Sequence, residues 1–263
     1  MLFRIEFRRL IFRWQMYLAI AIGIALVIIQ IITINKINAF WYNNAFTHMI
    51  GYDNSGLGTQ LYVVLLPIMC GLAGSSIIQE DKKNKMIDTI IARTSKIKYL
   101  RSSLLSSFLI GGLVGLFPLL VEAIIYFSKY KITVLPAKPE FYLIRPNNSF
   151  EYQLFSTHPL IFWIFYLIII FIFSGLFAQL GLISIYFDIY RGVETVIPFL
   201  ILFISIVLGD FLKNDNISLQ ELIIPTYGSW SNGTIYGILF YFILFTGIIL
   251  ILTWRKCNHD NIS

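Results

Sequence analysis

Two acidic residues, Glu122 and Asp210, fall inside long apolar runs of this 263-residue chain. An ionisable side chain in such a place is a functional candidate by default. Glu122 stands about five residues from the end of its run, roughly 7 Å at 1.5 Å per residue. It either lines a cavity or gate or reaches up to water at the interface. Asp210 is closer to the end of its run, where reaching water is the simpler reading. Other chemistry is excluded by residue type and spacing. None of the seventeen glycines precedes a lysine, so the phosphate-cradling G-x-x-x-x-G-K is absent, as is H-E-x-x-H. His48, His158 and His259 are scattered, and Cys70 and Cys257 make no disulfide framework. Gly209-Asp210 resembles the end of an intramembrane-protease GxGD motif, but Val207 stands where that motif needs glycine. A serine nucleophile at Ser75 would need a histidine base in a later span, and there is none. The residues predict a protein that is not an enzyme and holds no metal or cofactor.

The elements that carry these residues are set by composition. Apolar residues make up 57% and charged residues 13% of the chain, against about a quarter charged in soluble domains, which places the chain in the membrane. Apolar runs lie at about 17–34, 61–79, 102–127, 159–187, 195–212 and 234–254, each near the roughly 20 residues that a spanning helix needs. The expected fold is therefore all-α: one polytopic domain over 1–263 with six transmembrane helices. Ahead of them, residues 1–16 place Phe3, Phe7, Leu10, Ile11 and Trp14 on one stripe, with Arg4 and Arg8 beside it and Arg9 and Arg13 pointing away. That pattern predicts an amphipathic helix in the membrane interface with its arginines among lipid headgroups, or else an early start to the first span. With the N-terminus inside, fourteen Lys/Arg fall on the inner side and six on the outer. Positive residues favour the cytoplasm, so both termini are expected there, in a multi-pass protein of the cell membrane. This topology accounts for the net charge of +6 without nucleic acid. The outer loops 35–60 and 128–158 are long and aromatic. The short apolar stretch from Leu219 to Pro225, with Leu222 and Ile223 inside it, is too short to span and reads as a re-entrant segment before the last span.

The most charged stretch is the loop 80–101, which holds seven Lys/Arg and three acids. Within it, Met86, Ile87, Ile90 and Ile91 follow i, i+1, i+4, i+5 spacing and fall on one face of a two-turn helix. A cytoplasmic apolar face has two destinations, the membrane interface or a partner's groove. In the third span, Gly111-x-x-x-Gly115 permits close helix approach.

This layout resembles that of the permease subunits of ABC-2-type transporters. The most specific local match is the acid pair Glu80-Asp81, then Ile87, Ile90-Ile91-Ala92-Arg93-Thr94-Ser95-Lys96, Tyr99 and Ser102-Ser103. It is similar to that family's acid pair, short amphipathic helix and R-(T/S)-(S/P)-(R/K)-x-x-Y lead into the third span. Where family members often carry glycine after the acids, this chain has Lys83-Asn84-Lys85, with Asn84 able to take the turn. The resemblance implies a transport subunit whose ATP and Mg are bound by a separate ATPase chain, working with a second, identical or related permease. Loop 80–101 would then be the coupling loop, with Glu80, Asp81, Met86, Ile87, Ile90, Ile91, Arg93 and Tyr99 meeting the ATPase and Arg191 a smaller second contact. Glu122, Asp210 and the segment 219–225 would belong to the path or gate. The cargo implied is lipophilic or amphipathic, including peptides and drugs. The alternative is an ATP-independent polytopic transporter or a structural membrane subunit.

Overall fold

The structure, a computed structural model, describes residues 2–34, 44–52, 56–132, 150–184, 192–214, 217–224 and 234–258. In chain order its helices are α1 (Leu2–Ile11), α2 (Trp14–Thr33), α3 (Leu57–Gly74), α4 (Ser76–Lys83), α5 (Met86–Arg93) and α6 (Lys96–Lys129). They continue with α7 (Phe150–Thr157), α8 (Pro159–Ser184), α9 (Val193–Leu212), α10 (Leu219–Ile223) and α11 (Thr234–Asn258). Six of them, α2, α3, α6, α8, α9 and α11, are long and apolar enough to cross a membrane. Lipid offers no hydrogen-bond partner to a backbone, so a helix, which satisfies its own N–H and C=O groups, is the form these runs take.

The core is the α6–α8 pair with α3 laid against it, and α3 also touches α2 and α9. In α3, 61% of the most apolar stretch is buried, against 22% in α9 and 17% in α11. α9 and α11 therefore present most of their apolar side chains outward, as lipid-facing helices do. Small residues make the α6–α8 approach possible. A Cβ on Gly111 would sit 2.7 Å from the Ser174 carbonyl oxygen and would collide with Ala178, while Cys70 of α3 donates to the Gly111 carbonyl at 3.5 Å. Tyr62 of α3 likewise donates to the Gly115 carbonyl at 2.8 Å.

Several boundaries differ from the sequence expectation. The second apolar run, expected over 61–79, ends as a helix at Gly74. Ser75 donates its hydroxyl back to the Gly71 carbonyl there, and α4 starts afresh at Ser76 with the acid pair on it. The third span's helix, α6, starts at Lys96 rather than 102, because the Ser95 hydroxyl caps it by accepting from the Lys98 N–H at 3.4 Å and nothing breaks it before the span. The turn between α4 and α5 is made by Lys85 at φ 53° rather than by Asn84, an uncommon conformation for a residue with a Cβ. At the start of the chain, the backbone of Arg13 is extended between α1 and α2, so α1 is a separate helix and not the beginning of the first span.

Candidate functional site

The residues of the charged loop meet α1 rather than open space. Asp81 on α4 is fully buried, and Arg9 on α1 grips it with both guanidinium nitrogens, Nη2 to Oδ1 at 2.5 Å and Nη1 to Oδ2 at 3.3 Å. Tyr99, in the first turn of α6, donates its hydroxyl to Asp81 Oδ2 at 2.7 Å. Glu80 pairs with Arg13 and lies 3.8 Å from Arg9, and Glu6 of α1 lies 3.4 Å from Arg9. Two arginines and three carboxylates thus join α1, α4 and α6 in one network. The α1 face that carries Glu6 and Leu10 is buried, whereas Arg4 and Arg8 are exposed. The helical stripe points Arg9 and Arg13 away from the packing face and toward headgroups; in the structure they turn to the loop acids instead, because a buried carboxylate is tolerated only when paired. α1 lies along α6, where the buried Ser106 donates to the Phe3 carbonyl at 3.5 Å.

Burial is the main cause that lifts the Glu6 carboxyl above its ordinary range; the charge of Arg9 opposes the shift without cancelling it, and Asp81 adds to it. Burial also lowers Arg13, while the bond to Asp81 raises Arg9. A carboxyl whose folded pKa is raised contributes stability that is full below its unfolded pKa and is lost as pH rises through the folded value. Docking of α1 should therefore weaken as pH climbs from about 4.5, the ordinary value, through the raised one. Glu6→Gln should flatten that slope and leave α1 at least as well protected at neutral pH, read by amide hydrogen exchange of residues 2–11.

Between α1 and α5 runs a groove of about 680 Å³ whose apolar walls are Leu2 and Ile5 on one side and Met86 and Ile90 on the other, with Arg93 at its rim. The expected four-residue apolar face is divided. Met86 is 49% exposed, Ile90 and Ile91 are half-buried, and Ile87 at 4% packs into the core. Buried Asp81, Ile87 and Tyr99 hold the loop together and offer no surface to a partner, which leaves Glu80, Met86, Ile90, Ile91 and Arg93 for that role. Arg191 lies outside the described residues.

At the opposite end of the bundle Glu122 is buried, and its Oε2 accepts from the Ile50 N–H at 2.8 Å. Asp210 is exposed. Leu222 and Ile223 are buried in α10, which packs against α9 and α11, with the Leu219 N–H donating to Ser205 Oγ at 3.3 Å. Pro225 lies outside the described residues. Among the described residues no group of three or more His, Cys, Asp or Glu side chains is placed to hold a metal ion.

Glu6, Arg9 and Arg13 carry a signal only in part. The i, i+3 spacing of Glu6 and Arg9 marks a local pair, but nothing near them announces partners 72 residues away. The chain is a polytopic α-helical membrane protein with six membrane-length apolar helices. It matches no protein-family model, no curated protein and no solved structure.

Proposed function

We propose that the chain is the membrane-spanning subunit of an ATP-driven exporter of the ABC-2 type, working with a separate ATPase and a second permease copy or relative to move a lipophilic or amphipathic cargo. One observation carries this reading: a short amphipathic helix, α5, is fastened at both ends to elements that can move the spans and still leaves Met86, Ile90 and Arg93 on an open groove. Upstream, α4 is tied through Asp81 to Arg9 and Tyr99. Downstream, two residues separate α5 from α6, a helix of 34 residues and roughly 50 Å. Force applied to α5 by a partner would reach α1 and the third span together. An apolar groove edged by Glu80 and Arg93, on the side to which the positive-residue bias assigns the cytoplasm, suits a protein partner that closes on ATP.

Ile90→Asp places a carboxylate in the groove without touching the Arg9–Asp81 bonds. It should abolish co-purification with an ATPase subunit while the chain still inserts and keeps α1 protected. Retained ATPase binding by that variant would remove α5 from the coupling role. Loss of binding to anionic vesicles alone would assign the groove to lipid.

A further inference from the structure

The end of the bundle away from α5 is closed by a segment that lies outside the spans and is bridged to the chain after α6, where the Ala45 N–H donates to the Lys131 carbonyl at 3.1 Å. Residues 44–52 contain one 3-10 turn (Ala45–His48), and Phe46, Met49, Ile50 and Tyr52 are each at most 2% exposed. The segment is seated by side chains of the surrounding spans. Glu122 of α6 accepts from the Ile50 N–H at 2.8 Å, Thr59 of α3 from the Gly51 N–H at 3.2 Å, and Gln30 of α2 donates to the His48 carbonyl at 3.5 Å. The His48 ring stacks on Tyr126 of α6 and on Tyr130 at its C-cap, with centroids 5.3 and 4.2 Å away. From α8, the Tyr166 ring comes so close under Gly51 that an added Cβ would lie 2.9 Å from its Cζ, and Gly51 sits at φ +90°. Four spans converge on nine residues.

A carboxylate buried in a span is costly, and such groups mark pathways or moving parts. Here its bond is to the backbone of a short segment that is not itself a span, and which the side chains of four spans hold in its seat. We propose that residues 44–52 are a plug across the outer end of the path and that Glu122 is its latch. What the plug would admit rests on the transport reading above; the seating of the plug does not.

The test uses the full chain in membranes, with Cys257→Ser to leave only buried Cys70, and a membrane-impermeant maleimide. Ala45, fully buried on the plug, is replaced by cysteine as reporter, and exposed Lys129→Cys is the reference. The Ala45→Cys reporter should label far more slowly than the reference. Glu122→Ala leaves the Ile50 N–H without this acceptor and should speed labelling roughly ten-fold. Glu122→Gln keeps an acceptor oxygen and should stay within about two-fold of the parent. Gly51→Ala unseats the plug from the α8 side and should produce the same rise as Glu122→Ala. Labelling as fast as the reference in the parent would overturn the plug, and so would an unchanged rate in both Glu122→Ala and Gly51→Ala. No ATPase or cargo enters this readout, so it can fail while docking at α5 stands, and the reverse.

Discussion

Arg9→Met should free α1 and α4 from each other while the six spans stay folded. The substitution keeps most of the apolar stem and removes only the charge, which leaves Asp81, fully buried, with Tyr99 as its remaining hydrogen-bond donor of the pair that held it. Breaking a buried ion pair from one side costs about 3–5 kcal/mol because the surviving charge is stranded in a medium that solvates it poorly. The Arg9 side chain is itself 28% exposed, so the lower part of that range, about 3 kcal/mol, applies here. Hydrogen exchange should show protection lost over residues 2–11 and 76–83 with α6 and α8 unchanged. Adding Asp81→Leu and Tyr99→Phe to Arg9→Met should restore most of the protection, since an apolar replacement of the whole group strands nothing. Unchanged exchange in Arg9→Met would mean that α1 is held by its packing on α6 rather than by charge.

Gly111→Leu should be the most damaging single change in the membrane-embedded part. The obstacle to a side chain there is the Ser174 backbone oxygen at 2.7 Å, together with the Ala178 methyl. A flexible side chain can move aside, but a helix backbone cannot without shifting α8, the largest partner of α6. Overpacking a close-packed interior costs about 1–3 kcal/mol and more where backbone must move, so a loss of at least about 3 kcal/mol is expected. Thermal unfolding of the purified protein should show it, and Ala178→Gly in the same chain should recover part of it. Enlargement on the outward face should be harmless: Leu113, 45% exposed two residues on, should accept phenylalanine without effect on unfolding.

Much of the architecture was legible because a membrane span is a local property: transfer of an apolar run into lipid depends on that run alone. Hydropathy located all six long helices, and the small-residue spacing at Gly111 and Gly115 pointed to close packing. The amphipathic pattern over 86–91 gave α5. Periodicity places side chains on a face but does not say which neighbour will cover it, so it could not show that Ile87 turns inward while Met86 stays on the groove. The acid pair Glu80-Asp81 stood out, yet its partners Arg9 and Arg13 lie on another helix, and a pairing across the chain leaves no mark in local spacing. Residues 44–52 read as unpatterned loop for a related reason. Their order comes from Glu122, Thr59, Gln30 and Tyr166 on four separate spans, and none of these contacts repeats with a period.

Contact between α5 and an ATPase is tested most directly by a photo-crosslinking amino acid at Met86 in the native membrane, with the adduct sequenced. Met86 is 49% exposed on the groove and makes none of the bonds that fasten α4 to α1, so the probe reports contact without undoing the fold. The predicted result is an adduct with a separate chain that carries G-x-x-x-x-G-K-[ST], lost on Ile90→Asp. Adducts with lipid alone, or with a chain that lacks a nucleotide-binding loop, would contradict it.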